Sequence, residues 1–134
     1  MTNVKMQGNQ NTQTDVARIN NSQFRMENIE INNSGDDGLN IEGSSGRIEN
    51  LMIKNSDDDG LLVSGSYVRL SGLVTIDGNS DEGIELRDGS VMKGGWWDQE
   101  EERPDYTIQV LNSGDDGIKV QGNSLLDLDN FLVE

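Results

Sequence analysis

Four stretches of this chain carry the same acidic turn between short apolar pairs: IEINNSGDDGLNIEG from Ile29, LMIKNSDDDGLLVSG from Leu51, VTIDGNSDEGIELRDG from Val74 and IQVLNSGDDGIKVQG from Ile108. Their turn glycines, Gly38, Gly60, Gly83 and Gly117, are separated by 22, 23 and 34 residues. The last interval is one repeat plus an insertion of about 11 residues, and 94–104, GGWWDQEEERP, is the segment that fits no copy. Upstream, Asp15 and Val16 stand 23 residues before Gly38 and Leu39, which predicts a worn first turn in a coil that begins near Val4. Four good copies and one degenerate copy fill the 134 residues, so a single domain over 1–134 is expected.

Within each copy the apolar residues alternate with polar ones in runs too short for helices. Ile29 and Ile31 precede the turn, Leu39 and Ile41 follow it, and Ile48 and Leu51 lead into the next copy. Period two with β-branched residues predicts short strands that face one interior. Helix is disfavoured further because one Ala stands against 16 Gly and 15 Asn. A unit of 22 to 23 residues cannot bury its apolar face alone, so the copies must stack as a solenoid. The dense leucine frame of leucine-rich repeats is missing. Three brief strands per coil fit the length.

With lines such as NSGDDGLNIEG and IENLMIKNSDDDGLLVSG, the chain resembles the right-handed parallel β-helix of the pectate-lyase-like superfamily from about Asn20 to Gly122. The resemblance implies an all-β fold of about five coils of 22–23 residues with one loop insertion. Equivalent residues then stack about 4.8 Å apart. Asn33, Asn55 and Asn112 are expected to form a structural ladder that Gly78 interrupts.

The same alignment stacks Asp36, Asp58, Asp81 and Asp115 in one column and Asp37, Asp59, Glu82 and Asp116 in the next. Carboxylates about 5 Å apart repel by roughly 1–3 kcal/mol. The plain expectation is that they fan into solvent, some of them capping turn N–H groups, and that no cofactor is bound. The alternative is calcium, which suits oxygen clusters without His or Cys; its candidate ligands are Asp36, Asp37, Asp57, Asp58, Asp59, Asp81, Asp115 and Asp116. Asn55, Asp57, Asp59 and Gly60 also match the opening of an EF-hand loop, but Ser66 stands where the bidentate Glu belongs, so that match reads as coincidence.

GDD lines on successive coils are similar to those of the polygalacturonases, in which paired carboxylates do the chemistry. That family also uses a His-bearing and a basic segment, and this chain has no His and no Cys. Four near-identical turns read as scaffold, since a catalytic rung breaks a repeat. No catalytic residue is therefore assigned.

The repeat does break at the insertion. Adjacent Trp96 and Trp97 in an acidic loop predict a contact for a protein or a sugar, the alternative being that the rings cover the solenoid. The open ends of a β-helix need covering. Phe131, Leu132 and Val133 are the candidates for intersubunit or end-capping contacts, and a homotrimer is expected. A net charge of −15 excludes nucleic acid as a partner, and no run is apolar and long enough for a membrane span. The resemblance implies a non-enzymatic structural or binding module of a virion, such as a phage tailspike, fibre or capsid decoration protein, assembled in the host cytoplasm against a capsid or tail component. The alternative is a fragment of an extracellular carbohydrate-active enzyme (hydrolase, lyase or epimerase) or its polysaccharide-binding module.

Overall fold

The computed structural model describes residues 2–95 and 106–134. Thirteen strands are formed among them: β1 (Thr2–Gln7), β2 (Ala17–Asn20), β3 (Gln23–Asn32), β4 (Leu39–Glu42), β5 (Ser45–Lys54), β6 (Leu61–Ser64), β7 (Tyr67–Asp77), β8 (Ile84–Arg87), β9 (Val91–Gly94), β10 (Tyr106–Leu111), β11 (Ile118–Val120), β12 (Leu125–Asp127) and β13 (Phe131–Val133). All pair in parallel, and they stack as a β-solenoid of about five turns. The all-β solenoid expected from the repeat is the fold.

Each coil has three walls. The long strands β3, β5 and β7 bend at Asn28, Asn50 and Gly72, which have positive φ, so each contributes to two walls. Wall A stacks residues 23–27, 45–49 and 67–71 with β9 and β12, and wall B stacks β1, residues 29–32, 51–54 and 73–77, β10 and β13. Wall C is the separate sheet β2, β4, β6, β8, β11. The acidic turns join wall B to wall C.

Alternation sends one set of side chains inward from every wall, and stacking aligns like with like. Ile31, Ile53, Ile76 and Val110 form one buried column, and Leu39, Leu61 and Ile84 another. Each such side chain stabilises the fold by about 1.5–3 kcal/mol relative to exposure.

Polar ladders close the corners. Asn28 donates to Asn3 at 2.7 Å, Asn50 donates to Asn28 at 2.8 Å, and Asn50 accepts the Leu73 N–H at 2.9 Å. Asn tolerates the left-handed backbone these corners need and bonds the next coil with its amide. The expected second ladder is present: Asn55 donates to Asn33 at 3.2 Å, Gly78 interrupts, and Asn112 donates to Asp77 at 2.8 Å. Between walls C and A, the N–H groups of Ser22, Ser44, Ser66 and Ser90 donate to the hydroxyls of Ser44, Ser66, Ser90 and Ser124, at 2.9–3.2 Å.

The first coil is shifted by one residue from the expected alignment. Ala17 pairs with Leu39 and Ile19 with Ile41, which places Asp15 level with Asp37 rather than with Gly38. Only this register turns Ala17 and Ile19 towards the interior, because a one-residue slip in a strand exchanges its two faces.

Candidate functional site: the acidic turns

Three of the four members of the second acidic column do not fan outward, and only Asp116, on the last coil, is exposed as expected. Asp37, Asp59 and Glu82 are buried, and each receives its neighbours through the coil boundary. The Asp37 N–H donates to Asp15 Oδ1 at 3.2 Å, the Asp59 N–H to Asp37 Oδ1 at 3.2 Å, and the Glu82 N–H to Asp59 Oδ1 at 3.1 Å. Asp15, Asp37 and Asp59 thus each cap a backbone donor of the next coil, while the Glu82 carboxylate accepts from Lys119. Asn40 adds a bond from its Nδ2 to Asp37 Oδ2 at 3.0 Å. The first column, Asp36, Asp58, Asp81 and Asp115, lies further out, while its backbone is zipped by N–H bonds from Asp58 to Asp36, Asp81 to Asp58 and Asp115 to Asp81.

Beside the turns, the outer side of wall C forms a depression of about 370 Å³ with Asn40, Leu62 and Glu85 among its lining residues. Its cations are already engaged: Arg18 pairs with Asp15 at 2.8 Å, Lys119 with Glu82, and Arg87 with Glu85 at 3.6 Å.

Burial, the Asp15 charge and other nearby carboxylates push Asp37 up to about 7, against the pull of the Asp59 N–H. Burial pushes Asp59 further, to about 9, helped by the charge of Asp37 and by its bond to Glu82. Glu82 moves the other way. Burial alone would raise it, but the bonds from Lys119, Asp59 and Asp81 outweigh that and hold it below the ordinary Glu range. At neutral pH Asp59 is therefore a carboxylic acid donating to an ionised Glu82, which Lys119 neutralises. Asp36 and Asp81 are also raised, burial first and neighbouring carboxylates next.

Three groups of carboxylates bring ligand oxygens within 4.8 Å of one another: Asp15, Asp36 and Asp37; Asp58, Asp59 and Asp81; Asp81, Glu82 and Asp115. Such all-oxygen sets suit calcium by donor type. Of the calcium candidates read from sequence, Asp57 and Asp116 stand outside these groups, whereas Asp15 and Glu82 join them. The EF-hand-like stretch runs into strand β6 instead of a helix, and Ser66 is buried in the serine ladder.

The insertion falls in sequence between β9 and β10, at the corner that earlier coils turn in one residue (Asn28, Asn50) or two (Gly72 and Leu73). Trp96 and Trp97 lie outside the described residues. Phe131, Leu132 and Val133 form β13, which pairs along one edge with β10 and is the last strand of its sheet. They are 52%, 43% and 41% exposed, and with Val120 and Leu125 they make up five of the six exposed large apolar residues described.

Comparison with known proteins adds no relative: no family model, curated protein or solved structure matches the chain.

Proposed function

We propose that this chain is a non-enzymatic structural module that works by assembling, with its last coil as a contact surface. The observation that carries the proposal is the gathering of Val120, Leu125, Phe131, Leu132 and Val133 in the last described coil, beside a strand edge that pairs with no other described strand. Large exposed apolar patches mark interaction sites, and open parallel edges invite pairing. The turn carboxylates support the same reading, because Asp15, Asp37 and Asp59 are engaged in holding the next coil. A homotrimeric virion component of the tailspike, fibre or decoration kind, built in the host cytoplasm against a capsid or tail protein, is the setting that fits such a module. Calcium in the turns is not required by this role.

Light scattering over a wide concentration range tests it. The parent protein is expected to form trimers, and Leu132→Lys, which places a charge on the open edge without touching the core, to shift the equilibrium towards monomer by roughly tenfold or more. A parent protein that stays monomeric throughout would remove the proposal.

One observation favours a second reading, an extracellular carbohydrate-active module. Asp59 and Glu82 are adjacent carboxyls whose protonation is driven apart, the pattern an acid and a base need. Both are buried and bonded to each other, which argues for a structural pair. Release of sugar ends from acidic or neutral polysaccharides, lost in Glu82→Gln, would favour this reading.

A further inference from the structure

Four of the chain's ten Lys and Arg residues stand in one column on the outside of wall A. Strand pairing sets Arg25 beside Arg47, Arg47 beside Arg69, and Arg69 beside Lys93. Their strand neighbours Met26, Ile48, Leu70 and Met92 are buried, so alternation turns the cations to the surface. Like charges facing each other across strands are destabilising. Arg25 is relieved by Glu27, two residues on in the same strand. Two residues beyond Arg69 and Lys93 stand Ser71 and Gly95, which bring no charge. Arg69 instead lies 5.7 Å over the Tyr67 ring and donates to the Gly95 carbonyl at 3.3 Å, while Lys93 is 3.9 Å from Asp127.

The chain thus carries a cationic column in a strongly anionic surface, and it also carries that column's complement. Asp36, Asp58, Asp81 and Asp115 repeat once per coil over four consecutive turns, as the four cations do. Because coil stacking sets both repeats at about 4.8 Å, the columns match rung for rung when two solenoids lie with parallel axes. A second copy of the chain carries both the spacing and the opposite charge.

We infer that the Arg25–Arg47–Arg69–Lys93 column is the lateral contact surface for a second copy of this chain, seated on that copy's Asp36–Asp58–Asp81–Asp115 column. The contact joins two different faces, so it repeats from copy to copy, around an axis or along a row. It rests on the assembling role proposed above but uses a different surface from the last coil.

Sedimentation velocity at low ionic strength tests it with Arg47→Glu/Arg69→Glu, Asp58→Lys/Asp81→Lys and an equimolar mixture of the two, each first shown to keep its β-sheet circular dichroism. The parent protein is expected to associate, and about 0.5 M salt to weaken that association. Each double variant alone should associate at least roughly tenfold more weakly, and mixing them should restore association because the columns are again complementary. Double variants that associate like the parent overturn the inference. So does a cation variant that loses only its retention on heparin, a linear polyanion, with self-association unchanged. Since Leu132→Lys leaves both columns intact, loss of association in that variant alone would spare the role of the last coil and sink the lateral contact.

Discussion

The Asp59→Asn variant is expected to melt roughly 5 °C or more above the parent protein at pH 8, and to lose most of that advantage at pH 5. Asp59 is buried among carboxylates, and its folded pKa of about 9 lies far above the value near 3.9 of an unfolded Asp. A raised folded value means that the native state holds a proton the unfolded state has released. The stability that this contributes is fully present below pH 4, declines as the pH rises, and is gone above about 9. Asp37, raised to about 7, acts in the same direction and is exhausted earlier. Glu82 sets the opposite limb: its lowered value contributes stability above the ordinary Glu range, which is lost as the pH falls through its folded pKa. The parent protein should therefore be most stable in mildly acidic solution. Asn has the shape of the protonated acid, accepting the Glu82 N–H with its oxygen and donating to the Glu82 carboxylate with its amide, without the proton. Thermal melts of parent and variant from pH 4 to 9 check this, and parallel curves would show that Asp59 is ionised in the fold.

The second large effect is expected at the turn glycine. A Cβ on Gly60 would lie 2.7 Å from the Gly83 carbonyl oxygen of the next coil and against the Ile76 side chain. Its φ is not positive, so the requirement is space between coils and not backbone conformation. The Gly38 and Gly83 positions meet the next glycine's carbonyl at the same 2.7 Å. Gly60→Ala should cost about 3 kcal/mol or more, because the Gly83 carbonyl oxygen is held by the Leu61 N–H at 3.0 Å and cannot move aside without breaking that bond. Gly89→Ala is the informative comparison: its φ is +75°, but a Cβ there meets nothing within 4 Å, so only the left-handed strain of about 1–2 kcal/mol applies. Denaturant unfolding that ranked Gly89→Ala as the more damaging would contradict the close-packed turn.

What the sequence made legible follows from how strongly each feature repeats. The apolar alternation and the NSGDDG turns gave the period, the coil count and the stacked acidic columns, because every copy repeats them. The Asn33, Asn55 and Asn112 ladder was readable for the same reason. The Asn3, Asn28 and Asn50 ladder was not, since those residues sit at bends inside continuous strands and have no turn signature around them. Ser22, Ser44, Ser66, Ser90 and Ser124 carry a faint signal, their near-repeat spacing, which a single small polar residue per coil makes easy to miss. The first coil slipped by one residue because Val16 stands where the other turns have Gly, and acidic and apolar identities alone do not fix strand parity there. The orientation of the second acidic column was least accessible. Nothing in a run of Asp states which carboxylate turns inward, and only the positions of the next coil's N–H groups decide it.

The inner carboxyls of Asp37 and Asp59 are closed into bonds between coils, and carbon-detected NMR titration of the Asp and Glu carboxyls reads out that closure. Asp37 is predicted to titrate near 7 and Asp59 near 9, with both curves unchanged by millimolar calcium or EDTA at constant ionic strength. Midpoints near 4 for both residues, or a calcium-dependent shift of either, would contradict a scaffold role and make the acidic turns an open, ligand-binding surface.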